Sequence, residues 1–304
     1  MYGFTLRRVA ETTVSLRDFL REEMGISRKM LTQVKHGGKI EVNGLERTVR
    51  HELNPGEEVI VYFPEETPSA TMVASNRPIT ILFEDEYLLA VDKPAGIATI
   101  PSRLHPSDTL ANAVLGYYHT IGLKSAIHVI NRLDRDTSGV VLFAKYSYIH
   151  HLCSELQKKS ELSRSYLALV EGELEPQTID APIGRAADSI MERVVTEDGQ
   201  RAVTHIRKVE RFGEVSALTI QLETGRTHQI RVHLRHISHP LIGDTMYGGV
   251  TVMGRHALHS MSARLCHPMT GQELIIESPV PNDFYLVMSH HLSPGEMAAT
   301  GIDA

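Results

Sequence analysis

Asn131-Arg132-Leu133-Asp134-Arg135-Asp136-Thr137-Ser138-Gly139 sets a carboxylate between two arginines and ends on turn formers. The apolar, β-branched run Val140 to Ala144 follows. The stretch therefore predicts strand, tight loop, strand, with Asp134 on the loop where a substrate can reach it. Nearby cations favour the anion of a carboxylate. An ionised, positioned aspartate can act as a nucleophile or a base. Turn chemistry alone offers a plainer account, in which Asp134 and Ser138 merely close a loop.

Outward from this loop, three blocks separate. A chain of 304 residues has room for one large domain and a small one. The small one spans 12–63. Val14, Leu16, Phe19 and Leu20 recur at helical spacing behind Ser15, a potential N-cap, and Gly25 ends that helix. Ser27 caps a second helix carrying Met30, Leu31 and Val34, which stops at Gly37-Gly38. Strands at Lys39–Val42 and Val59–Tyr62 follow, with turns at Asn43-Gly44 and Pro55-Gly56. Residues 64–78 hold three prolines and no apolar period, and read as a linker. A flexible tether would let the small block search while the large one docks; a packed connector is the alternative. The large block, 79–290, mixes short strands with segregated helices at Thr109–Tyr118 and Ser147–Lys158, an α+β pattern. The tail, 291–304, has little to bury and is expected to be mobile.

Bulk chemistry narrows the class. Cys153 and Cys266 stand far apart, without a Cys-x-x-Cys pair, which argues against a disulfide framework or a zinc site and suits a reduced, cytoplasmic setting. No apolar run approaches the length of a membrane span. The net charge of -6 argues against a nucleic-acid binder, yet Arg21, Arg28, Lys29, Lys35 and Lys39 cluster against only Glu22 and Glu23. No Gly-rich phosphate loop is present.

Two further stretches carry chemistry. Arg164-Ser-Tyr166-Leu-Ala-Leu-Val-Glu-Gly172 alternates as a strand, and on pattern alone Tyr166 is a half-buried strand aromatic. In Thr224-Gly-Arg226-Thr-His-Gln-Ile-Arg231-Val-His, Thr227 is a plausible N-cap, and Ile230, Leu234 and Ile237 form an apolar helix face. Arg231 then lies in the first turn, off that face, suited to grip Asp134 with a two-pronged hydrogen bond. His228, His233, His236 and His239 invite a metal, but their spacing is poor and no acidic ligand is close, so no metal is expected.

The string Arg-Leu-Asp-x-x-Thr-Ser-Gly at 132–139 resembles the signature of the RluA-type pseudouridine synthases, which isomerise uridine to pseudouridine in RNA. Asp92-Lys-Pro-Ala-Gly96, the stretch around Tyr166 and the one around Arg231 resemble the family's other motifs. The family usually has His before the Arg, where this chain has Asn131. The resemblance implies a mixed, largely antiparallel sheet with flanking helices and a catalytic trio: Asp134, a base-stacking Tyr166, and Arg231 pairing with Asp134. It also implies that Arg132 fills the gap left by an extruded base. Arg226 is the fallback partner for Asp134 or an RNA contact. The first block resembles the small alpha-L RNA-binding module, first described in a small-subunit ribosomal protein, which would place Arg28, Lys29 and Lys35 on RNA phosphates. No cofactor is needed for an isomerisation. The expected partner is RNA, ribosomal rather than transfer RNA, with no membrane and nothing demanding more than a monomer. The alternative is a non-catalytic RNA-binding or ribosome-assembly factor. A glycoside hydrolase would need a neutral acid beside a carboxylate, and the Arg-rich loop does not favour one.

Overall fold

The computed structural model describes residues 2–103, 105–189 and 191–290; the tail expected to be mobile, 291–304, lies outside them. The chain opens with β1 (Tyr2–Val9), β2 (Val14–Ser15) and a single helical turn α1 (Leu16–Asp18) that continues as a wide π turn, Phe19–Glu23. Then come α2 (Arg28–Gly37), β3 (Lys39–Val42), β4 (Leu45–Glu46), β5 (Glu52–Leu53) and β6 (Glu58–Pro64). Ser15 and Ser27 accept from the amides of Asp18 and Met30, capping their helices as side-chain oxygens do. Strand β1 lies before the expected start of this block at residue 12. Its alternation is short and broken by Arg7-Arg8, but Phe4 and Leu6 face inward and pair the strand antiparallel to β6. The sheet runs β1-β6-β3-β4.

The large sheet is built from β7 (Thr80–Glu84), β8 (Leu88–Lys93), β9 (His128–Val129), β10 (Ser138–Ala144), β11 (Leu162–Glu171), β12 (Gln177–Asp180), β15 (Val203–Phe212), β16 (Val215–Leu222), β17 (Leu258–Cys266) and β18 (Glu273–Glu277). A separate hairpin joins β13 (Ile183–Arg185) and β14 (Arg193–Val195). The order is β12-β15-β16-β11-β17-β10-β8-β7, with β18 on β17 and β9 on β10. Pairing is antiparallel except between β10 and β17. The helices are α3 (Leu110–Thr120), α4 (Ser147–Lys158), α5 (Gln229–His236) and α6 (Asn282–His290). This is the expected α+β class. No helix among the described residues is long and apolar enough to cross a membrane.

Strand β10 explains its own unbroken apolar run, because both of its faces are buried. Val141 and Phe143 join a core with Val91, Val114, Tyr118, Tyr166, Ile220, Ile230 and Leu234, under α3 and α5. On α3 Tyr118 is fully buried, while Tyr117 is partly buried against the same core and donates to Glu84. Val140, Leu142 and Ala144 face the other way, toward Tyr148, Ile149 and Cys153 of α4 and the core of the N-terminal sheet. The two blocks thus share one core. Phe4 stacks on Tyr146 at 4.9 Å, and the Tyr148 hydroxyl donates to Met24 O at 2.6 Å.

The expected linker is no free tether. Asn112 of α3 donates to Val73 O at 2.6 Å and accepts from the Ser75 amide at 2.9 Å. Glu66 bonds the His128 ring and the Ser147 amide, and Lys124 pairs with Glu65. Prolines and polar residues leave the segment without regular structure, but backbone and side-chain bonds to the large block fasten it.

Gly139 lies in the parallel contact, opposite Ser260 and one residue after the Ser138–His259 pair. Its φ is +108°, and a Cβ there would stand 2.2 Å from Ser260 O. Only glycine tolerates both conditions. Gly139→Ala is expected to lower the unfolding free energy by roughly 2–4 kcal/mol, read by denaturant titration.

Candidate active site

The 131–138 loop alternates between buried and open residues: Asn131 and Leu133 point inward, Arg132 and Arg135 outward, and Asp134 stands half-exposed. Every inward group is tied. Asn131, in place of the family's usual His, donates to Val140 O at 3.1 Å and accepts from the Leu142 amide at 2.8 Å, so its amide extends the edge of β10. The Thr99 hydroxyl donates to Leu133 O and accepts from Leu133 N. The fully buried Lys93 ammonium donates to the carbonyls of Pro94, Ile97 and Arg135 at 2.9–3.0 Å. Burial pushes Lys93 down to about 7, against the pull of Asp134 and Asp136. Thr137 and Ser138 bond the rings of His256 and His259. Burial holds His256 down to about 4, so it is neutral at neutral pH.

Arg231 reaches this loop from α5. Its Nη1 donates to Asp134 Oδ2 at 3.1 Å, across 97 positions of sequence. The expected two-pronged bond goes elsewhere. Nε and Nη2 grip Asp244, at 2.7 and 2.9 Å, and the guanidinium lies 4.9 Å from the centre of the Tyr247 ring. Side-chain exposure is graded along the chain of charges: 1% at Asp244, 8% at Arg231 and 26% at Asp134. Burial opposes the charge on Arg231, but the bond to Asp244 and the attraction of both carboxylates outweigh it and raise its pKa. Arg231, expected off the apolar helix face, is buried by its contacts with Asp244 and the Tyr247 ring. The residue before the helix is His228, in a left-handed conformation, rather than Thr227.

The other anticipated residues divide. Tyr166 is buried on β11, in the same cluster as Leu133, and no hydrogen bond joins it to Asp134 among the described residues. Arg132 is exposed and forms no ion pair there; the nearby Asp136 carboxylate is held by Arg135 at 3.0 and 3.1 Å. Arg226 does not reach Asp134; its Nε donates to Arg201 O. Arg28, Lys29 and Lys35 are exposed on α2 and pair with no described acid. Lys35 also lines a surface cavity of about 400 Å³ with Arg47 and Arg50. Of the histidine run, buried His233 bonds Thr204 and Ala181 O, and His239 bonds Glu171 O. No group of three or more His, Cys, Asp or Glu side chains among the described residues is placed to hold a metal ion.

Sequence reasoning passed over Lys93, Asp244 and Tyr247. Lys93 lay inside a stretch noted for its resemblance to a family motif, with no role given to the lysine itself. Asp244 and Tyr247 carried a weak signal, the glycines of Gly243-Asp-Thr-Met-Tyr-Gly-Gly249. Gly243 has φ +77°, and a Cβ there would meet Arg255 O at 1.9 Å, which holds Asp244 against Arg231. Asp244→Asn removes the charge that balances a buried guanidinium. It is expected to cost roughly 3–5 kcal/mol of stability in denaturant titration, against under about 0.5 kcal/mol for Arg226→Ala.

Comparison with known proteins agrees with this geometry. The family model described as RNA pseudouridylate synthase matches residues 87–236, which include the Asp134 loop, Tyr166 and Arg231. An RNA pseudouridine synthase of Bacillus subtilis, YjbO, is 45% identical over 265 residues, covering 86% of this chain and 94% of its own. Ribosomal large subunit pseudouridine synthase D of Pseudomonas aeruginosa is 36% identical over 280 residues, covering 86% and 87%. Among solved structures, human RNA pseudouridylate synthase domain containing 1 superposes with a TM-score of 0.56 at 22% identity, over 77% of this chain and 96% of that one, a likeness of fold. With a matching fold, a matching family model and relatives aligned along most of their length, the chain belongs to the RNA pseudouridylate synthases, enzymes that isomerise uridine within RNA.

Proposed function

We propose that this enzyme acts on ribosomal RNA, with Asp134 promoting cleavage of the glycosidic bond on a flipped-out uridine. The contact between Arg231 and the half-open Asp134 carries the reading. It aims one carboxylate oxygen and leaves the group accessible, as a nucleophile or sugar-proton acceptor requires. The reaction breaks the C1′–N1 bond, turns the base and joins C1′ to C5. The C5 proton leaves and N1 gains one, so no external oxidant, reductant or group donor enters. Extruding the base costs roughly a few kcal/mol of stacking. Arg132, exposed and without an ion pair among the described residues, is suited to fill the gap, and Tyr166 to stack on the base. The ribosomal choice rests on the name of the Pseudomonas relative and on the unpaired cations of α2.

Tritium release from RNA labelled at uracil C5 tests the assignment. Asp134→Asn is expected to slow it by at least about 10³-fold while RNA affinity holds. Release at the wild-type rate would remove Asp134 from the chemistry. Loss of release from every RNA by the wild type would favour a binding factor. Replacing Arg28, Lys29 and Lys35 together with Ala should weaken RNA binding for all sequences and flatten the slope of log K against log salt by about 2, measured by filter binding.

A further inference from the structure

We propose that His228 is a further catalytic residue: an uncharged imidazole whose Nε2–H donates to O2 of the uracil as the glycosidic bond breaks. The inference builds on the function proposed above.

Position comes first. His228 Nε2 lies 3.9 Å from Asp134 Oδ2, and the side chain is 14% exposed. That separation exceeds a hydrogen bond, so the N–H is not consumed by the carboxylate. The residue holds φ +57°, an uncommon conformation for a side chain with a Cβ, and such outliers mark sites where the fold imposes a placement.

The tautomer follows from Tyr247. Its hydroxyl oxygen accepts from the Arg193 amide at 3.0 Å. The hydroxyl hydrogen then has one acceptor among the described residues, His228 Nδ1 at 2.8 Å. Nδ1 accepts, so the ring proton sits on Nε2, the nitrogen nearer Asp134. Tyr247 is itself held, beneath Arg231 and edge-on to the imidazole at 5.8 Å. Burial keeps the ring from protonating; Asp134 pulls the other way, but the guanidiniums of Arg231 and Arg193 reinforce the burial and the pKa falls below that of an ordinary histidine. The amino end of α5 acts in the same sense.

Such a donor has a task in this reaction. When C1′–N1 breaks, the bonding pair stays with the base and its charge spreads over N1, O2 and O4. O2 is the carbonyl next to N1, on the side of the sugar carbon that Asp134 addresses. A fixed N–H there stabilises charge that exists only after bond breaking begins, and no proton need move. His233, with both ring nitrogens bonded in the core, offers no comparable N–H, and the Nδ1–H of His239 is spent on Glu171 O.

Two measurements test the inference. The ¹⁵N spectrum of wild-type enzyme labelled in its histidine rings should show His228 neutral and protonated at Nε2 at pH 7. A proton on Nδ1, or on both nitrogens, overturns the proposal without any variant. In single-turnover assays His228→Leu should slow pseudouridine formation about 10²-fold with RNA affinity within about twofold of wild type, and His228→Gln, which returns an N–H, should recover about tenfold. A Leu variant at the wild-type rate, or a Gln variant no faster than Leu, overturns the role of His228 alone. A wild type inactive on every RNA overturns the reading beneath it.

Discussion

One guanidinium serves two carboxylates, and the rest of the site is arranged around that sharing. Asp244, almost wholly buried, takes two of the donors of Arg231 and fixes its plane. The remaining Nη1 is delivered to Asp134. Had both prongs gone to Asp134, that carboxylate would have spent its acceptor sites on the protein. The division leaves the outer acid with one firm contact and an open side. A buried Arg–Asp pair stabilises little on its own, since desolvation offsets most of the attraction. Its value here is directional.

The loop that presents Asp134 is held in turn through its backbone. Asn131, Thr99 and Lys93 bind backbone atoms of the segment or its flanking strand, and none of them touches the Asp134 carboxylate. They set where the chain runs, and Arg231 alone of the nearby cations bonds the Asp134 carboxylate among the described residues. Asn131 shows why a change from the family's usual residue is tolerated: its amide offers one donor and one acceptor at the spacing of the β10 backbone.

How much of this was legible depended on whether the signal was local. The Asp134 loop could be read because its charges and turn formers are contiguous. Arg231 could be assigned because its string resembles the family's motif, and helix periodicity placed it near the start of α5. The alternation of β10 was hidden, since a strand buried on both faces has none, but its β-branched run sufficed. Asp244 and Tyr247 stayed obscure because a glycine-rich loop has no period to betray which way a side chain points. The destination of the guanidinium prongs was equally hidden: composition counts donors and acceptors but does not say which meet. Strand β1 was missed because Arg7 and Arg8 interrupt an alternation only a few residues long, and its evidence lies in β6, more than fifty positions away.

The connector between the two blocks has a consequence for how long RNA is held. With Val73, Ser75, Glu65 and Glu66 fastened to the large block, and Phe4 sunk among its tyrosines, α2 and Asp134 belong to one rigid frame. A loosely joined pair would tolerate many spacings and lose mobility each time both halves engaged. A rigid frame has already given up that mobility during folding. With α2 on RNA phosphates as proposed, such a frame would act as a caliper, favouring transcripts in which phosphates and target uridine are already the right distance apart.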